Sequence, residues 1–365
     1  MKKLGAQDLE DLIQGGLVLS TGGGGLPEFG RSVIQRVFSA GKNFELMGRE
    51  EVRDDQIFAL ASHVGGGITQ EEQDLVKGLA LTQEFPLVPA ANELETYLGR
   101  PFDGFFPSEI GAGNTLAAMY VSAMKGKPTL DAESAGARAK PELSISTTNI
   151  LGIPIAPLAA VNQYGEVMIV KQAVDDARME VLTRYLSRCS GGRIGAVRCP
   201  CTGRQVRDGL AWGTISLAIE IGALLRKAGS RVVERLVQAL DGKLRFTGKV
   251  QSFEHEKRAA FFWGMIHLEG TGSFIGQRYK ICYKNENLVS WHNDTLDVTC
   301  PDSIMVVDGK SGEGLLNQPP FFPAGREVAV IARRAHELWR KERGLALFGP
   351  EHFGFSFSYR SFMEK

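Results

Sequence analysis

Three carboxylates flank a glycine turn, a helix and a second glycine-bearing loop in one stretch, FFPSEIGAGNTLAAMYVSAMKGKPTLDAESAGARAKPE, residues 105–142. Glu109 stands at one expected strand end, and Asp131 with Glu133 at the next. Acids grouped this way serve as general base and general acid, or as ligands for a hard cation. Singly, each acid is as easily a helix cap or a solvated side chain. Their placement matters because open α/β sheets bind ligands beyond the carboxyl ends of strands. Metal use stays open: Mg²⁺, Mn²⁺ or Zn²⁺ could sit on Glu109, Asp131 and Glu133, and a set without clustered histidines favours the harder ions.

A second feature is Thr21–Gly22–Gly23–Gly24–Gly25 ahead of a helix that begins at Pro27, a favourable first helical residue. Glycines let backbone amides approach a ligand, and a helix N-terminus favours negative charge. A tight turn between helices is the competing role. No Gly-Lys-Ser/Thr ending follows, and Pro27 interrupts the dinucleotide spacing, so no nucleotide is expected. His63 precedes Gly65–Gly66–Gly67, where an imidazole could shuttle a proton or contact substrate; without a histidine partner it is not read as a metal ligand. Arg138 could answer a substrate carboxylate or pair with one of the acids. Asn114 could orient a substrate or cap its helix.

The elements that must hold these residues alternate. Leu9, Leu12 and Ile13 mark an amphipathic helix ending at Gly15–Gly16; Ile57–Ala61 is a buried strand running into a loop over Ser62–Gly67. Helices follow around Glu71–Leu79 and Ala91–Leu98. Another spans Asn114–Lys125, with Leu116, Tyr120, Ala123 and Met124 on its apolar face, Asn114 as its cap and Gly126 as its stop. This alternation predicts an α/β N-terminal domain with a mainly parallel sheet over residues 1–171. Residues 172–365 are expected to form a helical connection and a β-rich α+β C-terminal domain, in which Tyr279, Ile281 and Tyr283 alternate with polar neighbours.

Forty-two basic and 42 acidic residues cancel in a chain of 365, without a basic run, which argues against a nucleic-acid partner. The longest apolar helical run, Leu210–Leu225, contains Glu220 and is too short for a bilayer, so no membrane association is expected. Five cysteines with no paired spacing and an N-terminus lacking an apolar core predict a cytoplasmic protein with reduced thiols. The apolar second half makes a homo-oligomer an open expectation. No Gly-x-Ser-x-Gly elbow is present.

The motif order resembles the S-methyl-thiohydantoin desulfurase-like family. The matching residues are the TGGGG loop, EIGAGN (Glu109–Asn114), KPTLDAES, WGT (Trp212–Thr214), GKV (Gly248–Val250), KNENLV (Lys284–Val289), CPD (Cys300–Asp302), LWR (Leu338–Arg340) and GLALFGPEHFG (Gly344–Gly354). Departures stand at Leu26 and Glu133, where the family favours aspartate, and in a GARAKPE loop one residue longer. The resemblance implies a hydrolase of small hydantoin- or thiohydantoin-like rings. One of Glu109, Asp131 or Glu133 would activate water, and the TGGGG amides would stabilise the developing anion. A metal-activated water is a second expectation. A non-catalytic partner subunit, or a metabolite-binding protein of a hydantoinase- or oxoprolinase-type system, is the alternative. KNENLV is expected at turns of the second domain, with Asn285 and Asn287 as turn residues.

Overall fold

The computed structural model describes residues 1–227, 229–258 and 260–364. The first half runs β1 (Lys2–Leu4), α1 (Ala6–Leu19), α2 (Pro27–Ser39), β2 (Phe44–Met47), β3 (Ile57–Gly65), α3 (Gln70–Asp74) and α4 (Leu87–Leu98). It continues through β4 (Gly104–Phe106), α5 (Asn114–Met124), β5 (Thr129–Leu130), β6 (Ala132–Glu133), α6 (Thr147–Ile150), β7 (Leu158–Asn162) and β8 (Val167–Val170). Then come α7 (Asp176–Cys189), β9 (Arg193–Thr202), α8 (Gly203–Gly209), β10 (Ala211–Trp212), α9 (Thr214–Lys227) and α10 (Val232–Ala239). The last strands are β11 (Lys243–Phe253), β12 (Glu256–Arg258), β13 (Phe261–Gly270), β14 (Arg278–Lys284), β15 (Glu286–His292), β16 (Thr295–Thr299), β17 (Ser303–Asp308) and β18 (Glu327–Arg333), followed by α11 (Glu342–Phe348).

The first sheet has the order β1-β2-β5-β4-β3-β9-β7-β8. It is mixed, which corrects the mainly parallel sheet expected: β2, β5, β4 and β3 pair in parallel, whereas β9 enters antiparallel beside β3 and is followed by the β7–β8 hairpin. Sequence reading missed the long strand β9, whose apolar run is interrupted by Arg198, as well as the short β1 and β2. Since β9 follows residue 171 in the chain, the division near Lys171 separates sequence segments, while the sheets separate later, at Lys243. The second sheet is antiparallel throughout, ordered β16-β15-β14-β13-β11-β18-β17 with β12 on β13. It curls enough for Asn287 Nδ2 on β15 to donate to the Ile304 carbonyl on β17 at 2.9 Å. Tyr279, Ile281 and Tyr283 all point into its core, as their alternation predicted.

Two helices end differently from their sequence reading. The first does not stop at Gly15–Gly16 but runs to Leu19, because Gly15 is where α9 crosses: a Cβ there would collide with the Ala218 backbone. Packing at the crossing outweighs the roughly 1 kcal/mol that glycine loses in a helix. The segment expected as a helix over Glu71–Leu79 is the short α3, capped by Thr69. On α5, Leu116, Tyr120 and Ala123 are buried as expected and Gly126 leaves the helix with φ +64°. Met305, Val307, Ala329 and Ile331 of the second sheet join the core under α1, α5 and α9, so one apolar interior spans both sheets.

Candidate functional site

The strand β3 extends past Ala61 to Gly65, so His63 lies in a strand paired with Gly195 and not in the expected loop. It opens, together with the chain leaving β4, on a cavity of about 300 Å³. Ser62, His63, Ser108, Glu109, Asn114, Lys140 and Arg198 from the first layer line it, facing Asn285 and Glu286 from the second sheet.

Glu109 is held on both oxygens. Asn114 Nδ2 donates to Oε1 at 2.5 Å, and the Lys140 amide donates to Oε2 at 3.0 Å. Asn114 is thus not the cap of α5, a place taken by Gly113; as first helical residue it turns its amide on the acid. Burial pushes the Glu109 carboxyl above the usual range, opposed by the Lys140 charge and these two donors. The result is a buried, basic carboxylate of fixed orientation.

Glu286 stands across from it. Burial first, and the Glu109 charge second, push its carboxyl well above the usual range, and Oε2 has no hydrogen-bond partner among the described residues. Two acids sharing one low-dielectric site do not both ionise, and the acid with fewer donors keeps the proton. Burial brings Lys140 down to about 8 and Arg198 to about 10. Arg198 is positioned by Ser62 Oγ at 2.8 Å. Burial and Arg193 press His63 down to about 3, leaving a neutral ring whose Nε2 is also unpartnered.

The glycine loop borders an adjoining recess of about 210 Å³, which shares Gly65, Gly66, Asn114, Asn285 and Glu286 with the cavity. Gly22, Gly23, Gly24 and Gly25 all line it. The Gly23 amide turns back to the Ser20 carbonyl at 3.1 Å, whereas those of Gly22, Gly24 and Gly25 meet no acceptor among the described residues. Any side chain at Gly23 would collide with the Glu286 carboxyl. Two backbone bonds tie the loop to the second sheet layer: Asn287 N to the Thr21 carbonyl and Asn317 N to the Gly22 carbonyl, both at 2.8 Å.

The other expected site residues do different work. Glu133 is fully buried, accepting from the amides of Ala135, Gly136 (2.9 Å) and Ala137 (2.7 Å) and so shaping the loop that follows; burial pushes it up to about 7 against those donors. Asp131 turns to the start of α9, accepting from Ser216 N at 2.9 Å and Oγ at 2.6 Å. Arg138 donates to the carbonyls of Ala139, Pro301, Asp302 and Asn287 and lies over the Phe348 ring, binding the two layers together. Among the described residues its guanidinium hydrogen-bonds to no carboxylate. The three acids therefore do not converge, and among the described residues no three His, Cys, Asp or Glu side chains are grouped to hold a metal ion. The donor set does not fit the hard cation left open from the sequence.

Sequence reading missed Glu286, Lys140 and Arg198. The one signal for Glu286 was its place in KNENLV; Asn285 alone is the turn residue there (φ +55°), while Glu286 and Asn287 begin a buried strand, correcting the turn role expected for Asn287. The five cysteines are free thiols, and no helix among the described residues is long and apolar enough to cross a membrane.

Two family models match the chain: the S-Me-THD-like N-terminal domain over residues 7–172, and the S-Me-THD-like C-terminal domain over residues 174–362. A crystal structure of a protein from Chromobacterium violaceum is similar with a TM-score of 0.76, over 99% of this chain and 100% of that one. At 21% identity that likeness speaks for the fold alone. No curated protein matches the chain.

Proposed function

The chain belongs to the S-Me-THD-like family, and from that premise we propose that it hydrolyses a small thiohydantoin-like ring, displacing a thiol. The observation that carries the reading is the pair of buried carboxyls in one cavity, Glu109 fixed on both oxygens and Glu286 with Oε2 unpartnered. Environments that push two acids apart assign the base and the acid.

Glu109 takes a proton from water while its oxygen adds to the ring carbon that carries the thioether. The C=N electron pair moves to the ring nitrogen, which then takes that proton from Glu109. Glu109 next removes the hydroxyl proton as the carbonyl forms and the C–S bond breaks. The bonding pair leaves on sulfur, which takes the Glu286 proton and departs as thiol. The proton left on Glu109 returns to Glu286. The net reaction consumes one water and yields a hydantoin and a thiol. The free amides of the glycine loop stand by the negative charge that develops in between, each donor of this kind contributing about 3 kcal/mol in oxyanion holes.

The test is release of methanethiol from S-methyl-thiohydantoin by the purified chain, followed with a thiol reagent. Release that disappears in Glu109→Gln supports the assignment; release undiminished in that variant overturns it.

A further inference from the structure

Six side-chain nitrogen or oxygen atoms are buried without a partner among the described residues, and two of the residues that carry them, Glu286 (Oε2) and Asn317 (Oδ1), line the same glycine-loop recess. Both side chains are only 4% exposed. Buried polar groups are nearly always hydrogen-bonded, so two orphans on residues that line one recess point to a ligand that completes them. The Asn317 amide cannot turn round to relieve its oxygen. Its Nδ2 donates to the Asn285 carbonyl at 2.8 Å and to Asn287 Oδ1 at 3.0 Å. Asn287 is itself oriented by its donation to Ile304. Oδ1 of Asn317 is therefore a fixed acceptor.

The residues lining the recess thus carry one fixed acceptor, one carboxyl and three amides without an acceptor among the described residues. A carboxylate or a fully ionised phosphate brings no donor for Asn317. A cation meets three amide hydrogens. What satisfies both is a neutral edge with an N–H beside a carbonyl oxygen, as in a lactam, imide or ureide. We propose that Asn317 accepts the ring N–H of such a ligand while the glycine amides hold the adjacent carbonyl, making this recess the specificity subsite for an N-unsubstituted ring. The inference rests on the ring-hydrolase reading and deepens it. The ring carbon next to the bound N–H then lies toward the wall that the recess shares with the cavity, where Glu286 stands.

The experiment is calorimetric titration of the full chain with hydantoin, 1-methylhydantoin and 3-methylhydantoin, beside the thiol-release assay. Methylation of the imide N–H should weaken binding about 100-fold, since it leaves a buried acceptor unpaired. Methylation of the other nitrogen should weaken it less than about tenfold, and in Asn317→Ala the 100-fold gap should shrink to below about tenfold. Equal binding of hydantoin and 3-methylhydantoin, or an undiminished gap in Asn317→Ala, overturns the subsite. The wild-type comparison stands by itself if that variant does not fold. Thiol release without any hydantoin binding overturns the subsite and leaves the reaction standing. Absence of both overturns the two together.

Discussion

Two carboxylate regions stand within one stretch of sequence, and they differ in what their oxygens face. Around Glu133 every oxygen is taken up by backbone amides of the following loop, and Asp131 is bonded to the start of α9. Around Glu109 two donors fix the carboxylate while its cavity stays open, and a second acid arrives from another sheet. Burial is nearly the same for Glu133 and Glu109, so burial alone does not distinguish a structural acid from one proposed to react. The free face and the unpartnered neighbour do.

The sharpest way to break that contrast is Glu109→Gln, which should lower kcat/KM about 1,000-fold while the melting temperature stays within about 3 °C. A large loss of melting temperature would put Glu109 with the structural acids. Next, Glu286→Gln should slow turnover about 100-fold. The pH profile should separate the two roles. Glu109 must be deprotonated and its carboxyl is raised, so activity falls as pH drops through a value above the ordinary 4.5. Glu286 must keep its proton and lies well above that range, so activity falls again on the alkaline side. An amide does not titrate, and a surviving alkaline limb in Glu286→Gln would take the acid role away from Glu286.

Glu133→Gln belongs to the other side of the contrast. It should reduce stability by about 2–3 kcal/mol in chemical denaturation, with turnover per folded molecule unchanged. A stable but inactive protein would move Glu133 into the site. Asp131→Ala is the mildest case: loss of a helix cap, about 1 kcal/mol, with no effect on turnover.

Local pattern made half of this site legible. Glu109, its turn at Gly111–Gly113 and the helix behind it are neighbours in sequence, and Gly22–Gly25 are consecutive, so spacing and turn chemistry located each group. Glu286 is invisible on the same grounds, because its opposing acid lies in the other half of the chain and only the packing of β15 brings them face to face. The triple glycine after His63 drew the expected end of β3 too early, although pairing with β9 carries the strand to Gly65. In β9, a buried Arg198 broke the apolar run that marks a strand, and the reason for that charge is the cavity it lines.

The tie between the glycine loop and the second layer has a consequence for biosynthesis. The carbonyls of Thr21 and Gly22 wait for the amides of Asn287 and Asn317, which leave the ribosome long after them. A nascent chain that has already wrapped β3, β4 and α5 holds Glu109 and no opposing acid. The proposed chemistry therefore waits for the second sheet, and a product truncated before Asn285 carries the proposed base with nothing to protonate the leaving group.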